Sequence, residues 1–140
     1  MKEVNCLMDN TIKLVNSKAI AEIISISGYF EEVEDISDQL SSENTMVFDV
    51  YVDLDMIFGE SMGVYFENLE RDFDIEGDGL SQKIHCYMDI ALEDIIEAIK
   101  ANLNIGNITG SYSINEIDGG IAAFIYFYFG EYYLNQGRLH

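Results

Sequence analysis

TMVFDVYVDLDMIF, residues 45–58, alternates apolar and polar side chains along most of its length. Met46, Phe48, Val50, Val52, Leu54 and Met56 fall on one side. Val47, Asp49, Tyr51, Asp53 and Asp55 fall on the other. A period of two belongs to a strand with one buried face. The chain therefore contains a sheet that is apolar inward and shows aspartates and a tyrosine outward.

The C-terminal part supplies partners for that strand. Ile84, Cys86, Met88 and Ile90 alternate with Lys83, His85, Tyr87 and Asp89, which predicts a strand over 82–90. Leu92, Ile95, Ile96, Ile99 and Leu103 recur at helical spacing and predict a helix over 91–103. Glu93, Asp94 and Glu97 early in it and Lys100 late in it suit the helix dipole. Residues 108–117 and 121–133 read as a hairpin about Asp118-Gly119-Gly120. The second arm is apolar on both faces, as in a central strand covered on both sides or in one covered by a second copy of the chain. A homodimer through 121–133 is the corresponding expectation.

Upstream, Ala19, Ile20, Ile23 and Ile24 share one face of a predicted helix over 17–27, with Ser17 as cap and Gly28 as stop. Phe30, Val33, Ile36 and Leu40 predict a second helix, with Glu31, Glu32, Glu34, Asp35 and Asp38 on its outer face. Downstream of the opening strand, 62–74 fits helix or strand. Within it and just beyond, Glu70, Asp72, Asp74 and Glu76 alternate with Phe73 and Ile75, and Asp78 lies in the loop that follows. The expected architecture is α+β, order α-α-β-β-β-α-β-β. It has a largely antiparallel sheet of about five strands with two or three helices, in one domain over 1–140.

The charge is unevenly placed. Between Glu22 and Asp78 stand 17 carboxylates and one base, Arg71, a net −16 of the −19 carried by all 140 residues. Hydrophobic residues make up 49 % and aromatics 12 %, so the acid sits on a folded surface rather than on a solvated tail. Such a charge opposes binding to nucleic acid or to an anionic membrane. Two unpaired cysteines and an N-terminus without an apolar run of signal length lead us to expect a reducing, cytoplasmic setting.

Catalytic and metal chemistry find little support. Residues 72–78 resemble the start of a calcium loop, but Lys83 stands where a bidentate glutamate is required. His85 and Cys86 are neighbours on the predicted strand and so point apart, with Cys86 expected inside and His85 outside. No cofactor motif is present, and no cofactor, metal or catalytic residue is expected.

The acids have the spacing of a binding surface. On a strand, alternate residues stand roughly 7 Å apart, and a helical turn repeats at about 5 Å. Both intervals are comparable with phosphate spacing along a nucleic acid. The expected partner-binding residues are Glu31, Glu34, Asp35, Asp38, Asp49, Tyr51, Asp53, Asp55, Glu70, Asp72, Asp74, Glu76 and Asp78. Tyr51, Tyr65 and Tyr87 are candidate anchors. The expected function is non-enzymatic: an inhibitor that mimics nucleic acid and blocks a basic nucleic-acid-binding protein, such as a CRISPR effector or nuclease. Small acidic phage proteins of the anti-CRISPR and anti-restriction kind, which serve host-defence evasion, share this character. That likeness is one of composition and transfers no site residue. The alternatives are an immunity protein against a basic nuclease toxin, and an acidic adaptor that self-associates through the aromatic C-terminal hairpin.

Overall fold

The computed structural model describes residues 1–8, 11–41, 44–57, 78–117 and 119–129. Among these residues, six strands form two antiparallel sheets. Strands β1 (Glu3–Met8) and β2 (Thr11–Asn16) pair as a hairpin. Strands β3 (Glu32–Asp35), β4 (Thr45–Asp53), β5 (Ile108–Ile117) and β6 (Gly120–Phe129) form a four-stranded sheet in the order β3-β4-β6-β5. Among the described residues, two helices of more than one turn accompany them, α1 (Ser17–Ser27) and α2 (Asp78–Leu103). This is an α+β architecture with antiparallel sheets, as the sequence predicts.

The opening strand runs as expected to Asp53, and 54–57 then turn into a single helical turn. Its inward residues Met46, Phe48, Val50 and Val52 are buried. Directly across in β6 stand Phe127, Ile125, Ala123 and Ile121, also buried. Phe48 and Phe127 meet edge to face at 5.9 Å, a favoured aromatic geometry. Both helices cover this inner face. A side chain at Gly110 of β5 would press on Leu92 and Ile96 of α2, so the bare glycine lets that helix lie close. On the other flank, Ser17 of α1 donates to the Asp35 carboxylate of β3.

Helix α1 keeps its expected length, but its cap is Asn16, whose side chain accepts from the Ala19 amide at 2.8 Å. Ser17 is instead a buried first-turn residue, taking the Lys2 amide at 2.8 Å. Gly28 ends the helix at φ +81, a left-handed conformation that glycine adopts without steric cost.

Two predicted elements differ. The stretch 30–40 is the edge strand β3 and a short 3-10 turn, Ser37–Gln39, rather than a helix. In a helix, Glu31, Glu34, Asp35 and Asp38 would stack as like charges three and four residues apart, which is destabilising. As a strand the segment satisfies the open edge of β4, with Val33 opposite Val50. Asp35 then stops it by accepting the Ser37 amide at 3.0 Å. The predicted strand over 82–90 is the first half of α2. Ile84 and Met88 fit either period, but they continue as Ala91, Ile95 and Ile99, a buried ladder of fours and threes that only a helix provides. Cys86 falls off that ladder and is exposed, against expectation.

The hairpin β1–β2 has no counterpart among the predicted elements. It buries Val4, Cys6 and Val15 and closes the end of the core where β4 begins and β6 ends. Lys13 there donates to the Leu103 carbonyl at the end of α2.

Candidate acidic interface on the open sheet face

The face of the four-stranded sheet away from the helices is built in rows, because residues opposite one another in a ladder point the same way. One row runs Glu34, Asp49, Phe124, Ser113 from β3 to β5. The next runs Glu32, Tyr51, Ala122, Glu116. A third carries Val47, Tyr126 and Ser111, and a fourth Thr45, Tyr128 and Thr109; Val47 and Thr45 are buried, so on β4 the face is open only at Asp49, Tyr51 and Asp53. The face thus grades from carboxylates on β3 and β4, through half-buried aromatics on β6, to hydroxyls on β5. Phe124 and Tyr126 meet edge to face at 6.4 Å within the aromatic band.

The electrostatics are one-sided. The four strands hold six carboxylates (Glu32, Glu34, Asp35, Asp49, Asp53 and Glu116) and no lysine or arginine. Glu34 lies directly opposite Asp49, a like-charge pair that costs stability. Near the end of the edge, partial desolvation and the neighbouring Asp53 charge push the Glu31 carboxyl up from its ordinary range. The ion pairs described, Met1–Asp38 at 2.7 Å and Lys100–Glu97 at 4.0 Å, lie off this face.

Tyr51 is fixed at the centre of the acidic part. Its hydroxyl donates to Asp53 at 2.8 Å. Its ring lies across Gly120, where a Cβ would collide with the phenol. The hydrogen bond to Asp53 raises the phenol's pKa, and burial and the neighbouring carboxylates raise it further, so Tyr51 stays a neutral donor. An aromatic held rigid between carboxylates has the makeup of an interface anchor.

The predicted site residues divide accordingly. Glu34, Asp49, Tyr51 and Asp53 come together on the open face, with Glu31 beside Asp53. Asp35 does not join them. Burial pushes its carboxyl up, but hydrogen bonds from Ser17 and Ser37 outweigh that and hold it below the usual range, so its role is structural. Asp38 lies in the 3-10 turn against the amino group of Met1. Asp55 is exposed on the turn at 54–57, and Asp78 opens α2. Glu70, Asp72, Asp74, Glu76 and Tyr65 lie outside the described residues, as does most of the calcium-loop segment. Tyr87 is on the helix side, donating to the Tyr29 carbonyl at 2.5 Å.

Sequence reading missed Glu32, Phe124, Tyr126 and Tyr128 as parts of this face. Their signal was the apolar doubling of 121–129, which leaves one aromatic row for the inner face and one for the outer. That second row is half-exposed rather than fully covered.

Elsewhere, two tyrosines fasten α2. Tyr29 donates to Asp94. Tyr112 of β5 donates to Asp89 at 3.1 Å and meets the His85 Nδ1 at 2.8 Å. Burial, then the Asp89 contact, raises the Tyr112 phenol to about 12, which suits a hydrogen-bond donor and not a base. Among the described residues no cluster of histidine, cysteine and carboxylate side chains is arranged to hold a metal ion. No described helix is long and apolar enough to cross a membrane. No family model, curated protein or solved structure matches the chain.

Proposed function

We propose that the protein is a non-enzymatic inhibitor that mimics nucleic acid and occupies the groove of a basic nucleic-acid-binding protein, as anti-CRISPR and anti-restriction proteins do. The observation that carries this reading is the meeting of two separate acidic segments on neighbouring strands. Glu32 and Glu34 of β3 stand beside Asp49 and Asp53 of β4, with Tyr51 between them and no base on the sheet. Across strands the side chains stand about 5 Å apart and along a strand about 7 Å. Arginine and lysine side chains of a phosphate-binding groove meet such an array with charge-assisted hydrogen bonds. The half-buried aromatics beside it supply apolar contact, which charge alone does not. Like charges set opposite one another cost stability, so their retention here fits a surface used for its field.

The test is displacement. Labelled duplex is bound to a panel of basic targets comprising a guide-loaded CRISPR effector, a restriction endonuclease and a nuclease toxin, and release is followed by fluorescence anisotropy. The expected result is release from at least one target, weakening steeply as salt rises. The triple variant Glu32→Lys, Glu34→Lys, Asp49→Lys should lose that release while keeping its circular dichroism spectrum. Release by the variant equal to that of the native protein would sink the proposal. Release from the toxin alone would assign the surface to an immunity protein.

A further inference from the structure

We infer that the opposite edge of the sheet is a self-association site, at which β5 of one copy pairs antiparallel with β5 of a second. Strand β5 spans ten residues, and among the described residues no strand lies beyond it. Long edge strands are usually guarded by charge, proline or a bulge. Strand β3 is guarded in that way, with Glu32, Glu34 and Asp35 in four residues. From Ile108 to Asn115, β5 carries no charge and no proline, and its bulge lies at the far end, between Ile114 and Glu116. Thr109, Ser111 and Ser113 point outward and are exposed.

The chemistry selects a second copy as the occupant. Of the net −19, −16 stands between Glu22 and Asp78, so like charge keeps two copies from meeting there, whereas the central part of β5 lies outside that segment and is uncharged. Two-fold pairing about Tyr112 sets Ser111 opposite Ser113 of the partner subunit and Thr109 opposite the partner's Asn115. Hydroxyl and amide pairs of this kind support cross-strand contact. The two-fold axis of such a pairing is perpendicular to the sheet. Both helix layers then lie on one side and both open faces on the other. It also leaves β6 where the fold has it, central and with both edges already filled by β4 and β5. Strand addition at β6 is therefore not available, and the self-association expected through 121–133 would have to use its outer aromatic face.

Light scattering across a concentration series tests the pairing without any target. The native protein should approach twice the 15.9 kDa monomer mass as concentration rises. Added salt should promote this by screening repulsion, whereas salt weakens target binding. Ser111→Lys with Ser113→Lys should hold the protein at monomer mass, even though the change lowers its net charge. Ser111→Glu should do the same, and both should keep native circular dichroism and cooperative melting. Glu32→Lys with Glu34→Lys should still dimerise, which separates this site from the acidic one. Monomer mass at every concentration and salt would overturn the inference. So would a dimer indifferent to charge at Ser111 and Ser113.

Discussion

The two edges of the four-stranded sheet share one core and differ in almost everything they show. At one, β3 and β4 place Glu32, Glu34, Asp49 and Asp53 around Tyr51. At the other, β5 shows threonine, serines and a backbone without charge through Asn115. Strand β6 lies between them, its inner side chains fully buried and its outer aromatics half-exposed. Inner-face packing sets the fold. The outward residues set what each edge excludes: the acidic edge repels other copies and polyanions, while the neutral one lacks any such barrier.

Both edges depend on the same inner face. Phe127→Ala should therefore weaken the whole domain, costing about 3–5 kcal/mol because it removes a fully buried ring and leaves a cavity. Urea unfolding checks this, and both edges should be lost in one transition. If the β5–β6 side unfolds separately, the two edges do not share a core.

A smaller effect should be confined to the acidic side. Ser17→Ala removes the buried hydroxyl that joins α1 to Asp35 and Lys2, and should cost about 1–3 kcal/mol. Its pH dependence follows from Asp35, whose carboxyl is held below the unfolded value of 3.8. A depressed carboxyl contributes stability above that value and loses it as pH falls through the folded one. The gap between native and Ser17→Ala proteins should be full at neutral pH and narrow well below pH 4.

The neutral side has its own pH signature. The Tyr112 phenol is raised from 10 to about 12 by burial and the Asp89 contact; on the other flank, against Tyr29, the Tyr87 phenol is raised to about 12 chiefly by burial. A group with a raised folded pKa contributes stability below its unfolded value and loses it as pH climbs through the folded one. Stability should therefore decline between pH 10 and about 12, and Tyr112→Phe should flatten part of that slope in thermal melts. The smallest effect is a gain. Glu34→Gln with Asp49→Asn removes a like-charge pair and should raise stability by about 0.2–1 kcal/mol at low salt, fading as salt is added.

How much of this was legible in the sequence depends on how many periods fit each segment. Residues 45–53 fit a single period, and so does the helix over 17–27. The helix is present at the expected bounds, and the strand expected over 45–58 forms as far as Asp53. Residues 82–90 fit two, and choosing between them needed the continuation to Ile99 rather than a local window. Residues 30–40 carried helical apolar spacing, but tertiary pairing with β4 and the crowding of five carboxylates outweighed it. The hairpin β1–β2 was overlooked because its alternation is short. Its burial depends on non-local contacts, such as the one from the Cys6 thiol to the Asn107 carbonyl at 3.9 Å. For the site, local pattern identified the acids of β4 and Tyr51. It did not show that Glu32 and Glu34 would stand beside them, or that Asp35 would turn inward, because both depend on strand order.

The central claim is that the β3–β4 edge competes with nucleic acid for a basic groove, and the most direct measurement is the salt dependence of that competition. With the duplex-bound target in hand, the inhibitory concentration of the native protein is read across a salt series, beside that of Glu32→Lys, Glu34→Lys, Asp49→Lys. The account predicts a steep rise with salt for the native protein and, at low salt, at least a tenfold weaker triple variant, a difference of about 1.4 kcal/mol or more. A native protein whose inhibition ignores salt, or a triple variant that inhibits equally well, would contradict it.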